Sequence, residues 1–231
     1  MGKSLVILSG GQDSVTCLYW ALKNSTEVIT ITFDYGQKHA IEIESAKKIA
    51  EMAKVPWDLI NVGNILKGSS PLINKEIEVE TYENIEALPG GLEKTFVPGR
   101  NILFLTVAAN RAYIEKCTDM VTGVSQEDFG GYPDCRATFI QEMRSALSYG
   151  LEYNIEIRTP LIYLTKKETV ELAFDLGENC WKALSFSHTC YNGQTPPCGK
   201  CHSCLLREKG FKEAGKRDPL ILRLDQTSLF K

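Results

Sequence analysis

Six residues, Ser9-Gly10-Gly11-Gln12-Asp13-Ser14, set two glycines among two hydroxyls and a carboxylate, directly after the apolar run Leu5-Val6-Ile7-Leu8. Residues without a Cβ let the chain turn sharply and bring backbone N–H groups close to an anion. Val15, Leu18, Tyr19 and Leu22 follow at helical spacing, so a helix over 13–24 would aim its positive end at the same anion. The pattern is therefore a place where nucleotide phosphates can sit. The lysine of a Walker A loop is missing, and the stretch 193–200 has five residues between its glycines and runs into Cys201, which disfavours a Walker NTPase. A plain strand-to-helix turn would explain the glycines by themselves.

A second constellation is Cys190, Cys198, Cys201 and Cys204, separated by seven, two and two residues. A C-x2-C pair curls two thiolates onto one ion, and zinc takes four ligands in a tetrahedron. Four thiolates with no essential histidine make a closed site, which suits structural Zn2+ better than catalytic Zn2+. An iron–sulfur cluster is the competitor, but the usual C-x3-C-P continuation does not follow. His202, between two ligands, reads as solvent-facing. The other four cysteines, Cys17, Cys117, Cys135 and Cys180, are scattered singly, which argues against a disulfide framework.

The stretch from Gly123 to Arg136 gathers carboxylates, two aromatics, a glycine pair and an arginine. Asp128 or Asp134 can accept the N–H groups of a guanine-like edge, Phe129 or Tyr132 can stack on a ring, and Arg136 can grip a carboxylate in bidentate fashion. Taken singly, each of these is more often a cap or turn residue. Ser125 is not a hydrolase nucleophile, because the G-x-S-x-G pattern would need glycine at 127. Two further clusters are Phe33 to His39 and Phe96 to Asn101. In the latter, Asn101 reads as a helix N-cap and Arg100 as a contact for phosphate or carboxylate. His39 as a general base and Lys166 as a catalytic cation both compete with ordinary helix-surface roles.

These residues need elements to position them. Strands are expected over 4–8, 28–33, 57–62, 120–123 and 155–158. Helices are expected over 13–24, 39–54, 102–116, 135–149 and 166–176. In the second helix Ile43, Ala46, Ile49, Ala50 and Ala53 form one apolar stripe. Strands alternating with helices imply an α/β fold, a parallel sheet covered on both faces. Ligands in such sheets bind beyond the carboxyl ends of the strands, where the strand order reverses. The Glu-rich stretch 63–94 breaks the rhythm and reads as a surface excursion, a solvated acidic loop before a lid. Composition shifts after Trp181, which sets an α/β domain over 1–185 and a C-terminal metal-binding segment over 186–231.

With 231 residues, 43% of them hydrophobic, the chain can bury one sizeable core. A net charge of −3 gives no general attraction to nucleic acid. No secretory pattern and no membrane-length apolar run are visible, so a cytoplasmic protein without membrane partners is expected.

The Ser9–Ser14 motif resembles the pyrophosphatase loop of the N-type ATP pyrophosphatases, which split ATP between the α and β phosphates and transfer AMP to an oxygen. The wider set is similar to the 7-cyano-7-deazaguanine synthase family. It comprises Asp34-Tyr35-Gly36-Gln37-Lys38-His39, Phe96 to Asn101, Thr122-Gly123, Gly131-Tyr132-Pro133-Asp134-Cys135-Arg136, Thr159-Pro160-Leu161, Lys166, and Thr189 to Gly193 with the clustered cysteines. The resemblance spans about residues 4–213. It implies an adenine nucleotide alpha hydrolase-like, Rossmann-like fold with a small zinc-binding segment. It also implies an ATP-dependent carbon–nitrogen ligase that converts 7-carboxy-7-deazaguanine and ammonia to the nitrile, with Mg2+ expected and a homodimer suggested. The nucleotide site it implies covers Leu8, Ser9, Gly10, Gly11, Gln12, Asp13, Ser14, Val15, Thr16, Cys17 and Leu18. Catalytic roles fall to Asp13, Ser14, Arg100 and Lys166, and substrate contacts to Asp128, Tyr132, Asp134 and Arg136. Asp13 would repel phosphate unless a magnesium ion or the backbone offsets its charge. Many members carry Cys-Glu-Thr where this chain has Ser125-Gln126-Glu127, so no thiol acts at 125. A tRNA-thiolating enzyme with the same loop is the rival, supported by the basic residues Arg207, Lys209, Lys212, Lys216, Arg217 and Arg223, which a solvated face explains as well.

Overall fold

The computed structural model describes residues 1–38, 41–126 and 131–228. Five strands, β1 (Lys3–Ile7), β2 (Glu27–Asp34), β3 (Trp57–Asn61), β4 (Asp119–Val121) and β5 (Glu156–Arg158), form one sheet in the order β3-β2-β1-β4-β5. Every pairing is parallel, with Leu5 opposite Ile29 and Val6 opposite Val121. All five expected strands are present within two residues of their expected ends.

The alternation of strand side chains assigns the helices to faces. Val6, Val28 and Val121 point to one side, where α1 (Gln12–Asn24), α2 (Ile41–Ala53), α5 (Lys166–Asp175) and α6 (Glu178–Leu184) cover them. Leu5, Ile29, Ile31, Phe33 and Met120 point to the other, against α3 (Arg100–Ile114) and α4 (Ala137–Leu151). Each fully buried Leu or Val contributes about 1.5–3 kcal/mol relative to exposure, so the two faces together hold the sheet. Among the described residues, no helix is long and apolar enough to cross a membrane.

Three helices were not expected from the pattern: α6, α7 (His202–Glu213) and α8 (Pro219–Ser228). α7 has no single apolar stripe. It buries His202, Cys204, Leu205, Leu206, Arg207, Gly210 and Phe211 around most of its circumference. Arg207 is 4% exposed, donating from Nε and Nη2 to the Asp218 carboxylate at 2.6 and 2.9 Å and from Nη1 to Ser187 Oγ at 2.9 Å. Arg223 donates to the Ser185 carbonyl at 2.7 Å and lies over the Phe186 ring. At these two positions the basic stretch is internal packing rather than a solvated face.

The excursion after β3 is also packed. Ser70, Leu72, Val79, Glu93, Thr95 and Val97 are buried, and the Tyr82 N–H donates to the Lys200 carbonyl at 2.8 Å. These contacts anchor it at a few points, while every charged residue of 63–94 except Glu93 is exposed, as expected of a solvated acidic loop.

Candidate active site

β1, β2 and β3 run outward to one side of the sheet, and β4 and β5 run outward to the other. The strand order therefore reverses between β1 and β4, and a crevice opens beyond their carboxyl ends. A pocket of about 280 Å³ lies there. Its floor is the 9–14 loop. The Ser9 and Gly10 N–H groups each donate to Ser14 Oγ at 3.2 Å, and Ser14 Oγ donates to the Gly11 carbonyl at 3.0 Å. The loop thus points N–H donors at one spot at the N-terminus of α1, which is the geometry of an anion cradle.

Two glycines let neighbouring elements reach this loop. Gly10 has φ of +90°, and a Cβ there would stand 2.3 Å from the Glu42 carbonyl oxygen and 2.9 Å from the Ala46 nitrogen of α2. A Cβ on Gly123, just past β4, would stand 3.0 Å from both the Asp13 carbonyl carbon and the Ser14 nitrogen. Both contacts are to backbone, so the close approach requires glycine.

Lys166 opens α5, whose start is fixed by a capping box between Thr165 and Glu168. Its Nζ lies 2.7 Å from Asp13 Oδ2, with both side chains largely buried. The other carboxylate oxygen, Asp13 Oδ1, is buried and has no hydrogen-bond partner among the described residues. An unpartnered buried carboxylate oxygen beside a phosphate cradle fits a divalent cation such as magnesium.

On the opposite wall Arg100 follows Gly99, which caps α3 in the left-handed conformation. The helix therefore starts two residues before its expected start. Asn101 lies in its first turn rather than at the cap, donating through Nδ2 to the Asp134 carbonyl at 3.2 Å. Arg100 is hydrogen-bonded to Tyr35 and lines the pocket together with Tyr132 and Tyr191. Burial lifts the Glu42 carboxyl to about 7, with Arg100 opposing the shift. Burial likewise raises the Tyr35 and Tyr132 phenols. A guanidinium lining the pocket beside phenols is suited to a carboxylate or phosphate.

The pocket brings together Leu8, Ser9, Gly11, Gln12, Asp13, Ser14, Arg100, Tyr132 and Lys166. It does not include the whole expected set. Val15, Cys17 and Leu18 sit in the core under α1, and the Thr16 hydroxyl bonds back to the Gln12 carbonyl at 3.0 Å. Helical geometry turns these four away from the loop. Asp134 is 6% exposed and accepts the Asn101 N–H at 3.4 Å, so it serves the start of α3 instead of lining the pocket. Arg136 is exposed in an adjoining cleft with Gly131 and Thr138. Ser125 Oγ donates to the Leu164 carbonyl at 3.3 Å, consistent with no nucleophilic role. Asp128, Phe129 and His39 lie outside the described residues.

Glu42, Phe104, Tyr191, Ser203 and Leu206 also line the pocket without having been singled out as ligands. For Glu42 a signal existed: 42, 46 and 49 share one helix face, so this carboxylate lies on the apolar stripe rather than opposite it.

Cys190, Cys198, Cys201 and Cys204 come together with their sulfurs all within 4.8 Å of one another. The Cys198–Cys204 separation is 3.9 Å, close to the sulfur–sulfur edge expected when four Zn–S bonds of about 2.3 Å form a tetrahedron. The Cys198 N–H points to Cys190 Sγ at 3.4 Å and the Cys201 N–H to Cys198 Sγ at 3.3 Å, which favours thiolates. His202 is not solvent-facing. It is 4% exposed, with Nδ1 2.5 Å from Glu93 Oε1 of the excursion. The cluster is joined to the pocket through the adjacent chain: Thr189 and Tyr191 flank Cys190 and both line the pocket, while the His188 N–H donates to the Gly10 carbonyl at 2.9 Å.

Fold and site together define a Rossmann-like α/β protein with a glycine loop shaped as an anion cradle at its switch point and four cysteines able to hold a metal. Within that class the chain belongs to the family described as queuosine biosynthesis protein QueC, which matches residues 3–215. It is 48% identical over 225 residues to the 7-cyano-7-deazaguanine synthase of Gloeobacter violaceus, covering 95% of this chain and 96% of that one. It is also 48% identical over 225 residues to the enzyme of the same name from Chromobacterium violaceum, covering 96% and 94%. The corresponding enzyme of Laribacter hongkongensis is 46% identical over 222 residues, covering 96% and 95%.

Proposed function

We propose that the protein is an ATP-dependent carbon–nitrogen ligase that converts 7-carboxy-7-deazaguanine and ammonia to 7-cyano-7-deazaguanine. The observation that carries this reading is a single pocket in which the pyrophosphatase-type loop faces Arg100 and Tyr132, in a chain of the queuosine family. The substrate carboxylate attacks the α-phosphorus of ATP, giving an acyl adenylate and pyrophosphate. Ammonia displaces AMP to give the amide and releases a proton. A second ATP adenylates the amide oxygen with release of a second pyrophosphate, and loss of AMP and a proton leaves the nitrile. Adenylation converts a poor oxygen leaving group into a good one in both halves.

The residues have distinct tasks in this scheme. The loop N–H groups and Ser14 hold the departing pyrophosphate, and Lys166 offsets its charge while keeping Asp13 in place. Arg100 orients the carboxylate, with Tyr132 forming the wall behind the ring. Catalysis rests on positioning and electrostatic stabilisation, with no protein nucleophile. Asp13 Oδ1 would hold Mg2+, which supplies positive charge for the phosphates when bound. The four cysteines would hold Zn2+ in a structural role, making 186–231 the metal-binding segment of an α/β domain over 1–185. We further propose a cytoplasmic homodimer with no nucleic-acid partner.

The test is AMP and pyrophosphate release with 7-carboxy-7-deazaguanine and ammonia, with the product identified by mass. AMP formation only with tRNA and a sulfur donor would replace this reading by the tRNA-thiolating one.

A further inference from the structure

Outside the contacts already described, a line of hydrogen-bonded hydroxyls leads from the cysteine segment into the pocket. Glu93, 5% exposed, accepts through Oε2 from the Thr95 hydroxyl at 3.2 Å. Thr95 Oγ1 and the Tyr132 hydroxyl are 2.6 Å apart. Thr95 thus spends its one proton on Glu93, and Tyr132 must donate to Thr95. Tyr132 in turn is hydrogen-bonded to Tyr191. With its own proton committed to Thr95, the Tyr132 oxygen accepts from Tyr191 and can meet the pocket only as an acceptor, through its remaining lone pair. Its ring is fixed too, stacked on Phe96 with centroids 5.7 Å apart. The turn before it is pressed against the excursion, since a Cβ on Gly131 would stand 3.0 Å from the Gly91 carbonyl oxygen.

We propose that Thr95 and Glu93 are positioning residues that set Tyr132 as a hydrogen-bond acceptor for an N–H group of the ring substrate. This inference rests on the reading of the pocket as the site for a deazaguanine acid. It assigns the excursion a specificity role: a ring presenting an N–H donor at this wall is accepted, and one presenting a lone pair meets oxygen lone pairs and is rejected.

The experiment compares Tyr132→Phe, Thr95→Val, Thr95→Ser and Glu93→Gln by steady-state AMP release, with KM for the ring acid and for ATP measured separately. Thr95→Val and Tyr132→Phe should each raise KM for the ring acid about tenfold with KM for ATP unchanged. Thr95→Ser, which keeps the hydroxyl, should stay within about twofold of the parent. Glu93→Gln, whose amide can donate and so reverse the line, should resemble Thr95→Val. A Tyr132→Phe effect without a Thr95→Val effect would overturn the inference while leaving the substrate reading intact. Unchanged KM in Tyr132→Phe would remove both Tyr132 as a substrate contact and the inference built on it. Equal rises in both KM values that Thr95→Ser fails to rescue, with a lowered melting temperature, would reduce the line to a structural strut and overturn the proposal.

Discussion

Lys166 Nζ lies 2.7 Å from Asp13 Oδ2, an ion pair spanning 153 residues of sequence that fastens the start of α5 to the phosphate loop. α7 packs directly behind it: a Cβ on Gly210 would stand 2.9 Å from the Lys166 carbonyl oxygen. The cation is therefore set by two helices, one of the α/β core and one of the cysteine segment.

Lys166→Met should remove both a charge beside the 9–14 loop and the partner of a largely buried carboxylate. Turnover should fall on the order of 10²–10³-fold, as for loss of one preorganised electrostatic contact. Stability should fall by about 1–3 kcal/mol, because Asp13 is left buried without its partner. Adding Asp13→Asn should restore part of the stability and none of the activity. AMP-release kinetics and urea melts on the two variants check both claims, and near-parental turnover in Lys166→Met would show that the pair is structural.

The two loop glycines should tolerate alanine to different degrees. Gly123→Ala meets backbone at 3.0 Å with ordinary φ, a clash that a shift of a few tenths of an ångström relieves. Its cost should be about 1–3 kcal/mol, seen mainly as weaker nucleotide binding. Gly10→Ala combines φ of +90° with an approach of 2.3 Å to the Glu42 carbonyl, so it should damage both folding and binding. Melting curves and ATP titrations of the two variants give the ranking, and a benign Gly10→Ala would contradict the packing of α2 on the loop.

Much of this arrangement is legible in the sequence because it is local. The apolar runs, the glycine loop and the C-x2-C spacing each state their geometry within a dozen residues. What is hidden depends on partners distant in the chain. His202 looks solvated until Glu93 is seen against it, and Arg207 looks like a surface charge until Asp218 and Ser187 enclose it. α7 escapes a search for periodicity because a clustered cysteine, Cys204, a buried ion pair and a glycine contact occupy the faces where an apolar stripe would otherwise be. Asp134 likewise has a partner the motif does not announce: its carboxylate accepts the Asn101 N–H in the first turn of α3 at 3.4 Å.

Glu42 gives the pH dependence a definite sign. Its folded value of about 7 exceeds its ordinary 4.5, so the folded state binds the proton more tightly than the unfolded state. The neutral form fits at and below pH 4.5. As pH rises from there through 7 the half-buried group must ionise, and its contribution to stability falls by about 3 kcal/mol, then stays constant. Glu42→Gln should therefore be more stable than the parent at pH 8, with the difference vanishing near pH 4.5. Urea melts at several pH values test this, and a stability difference independent of pH would exclude the linkage.

With its four cysteines placed to hold a metal, the C-terminal segment should be the part that fails first on chelation. Four sulfurs within 4.8 Å cannot all be thiolates without a cation between them, so chelation leaves a cluster that repels itself or takes up protons. The consequences should reach the pocket, because Thr189 and Tyr191 flank Cys190 and the His188 N–H holds the Gly10 carbonyl. Elemental analysis should find one metal ion per chain in the parent and less than that in Cys204→Ser. Chelation should lower the melting temperature by roughly 10 °C, taking a metal contribution of a few kcal/mol. Hydrogen exchange should accelerate first over 186–213 and next in the 9–14 loop, while β2 and α3 stay protected. Uniform acceleration across the sheet would mean instead that the metal segment and the α/β core unfold as one unit.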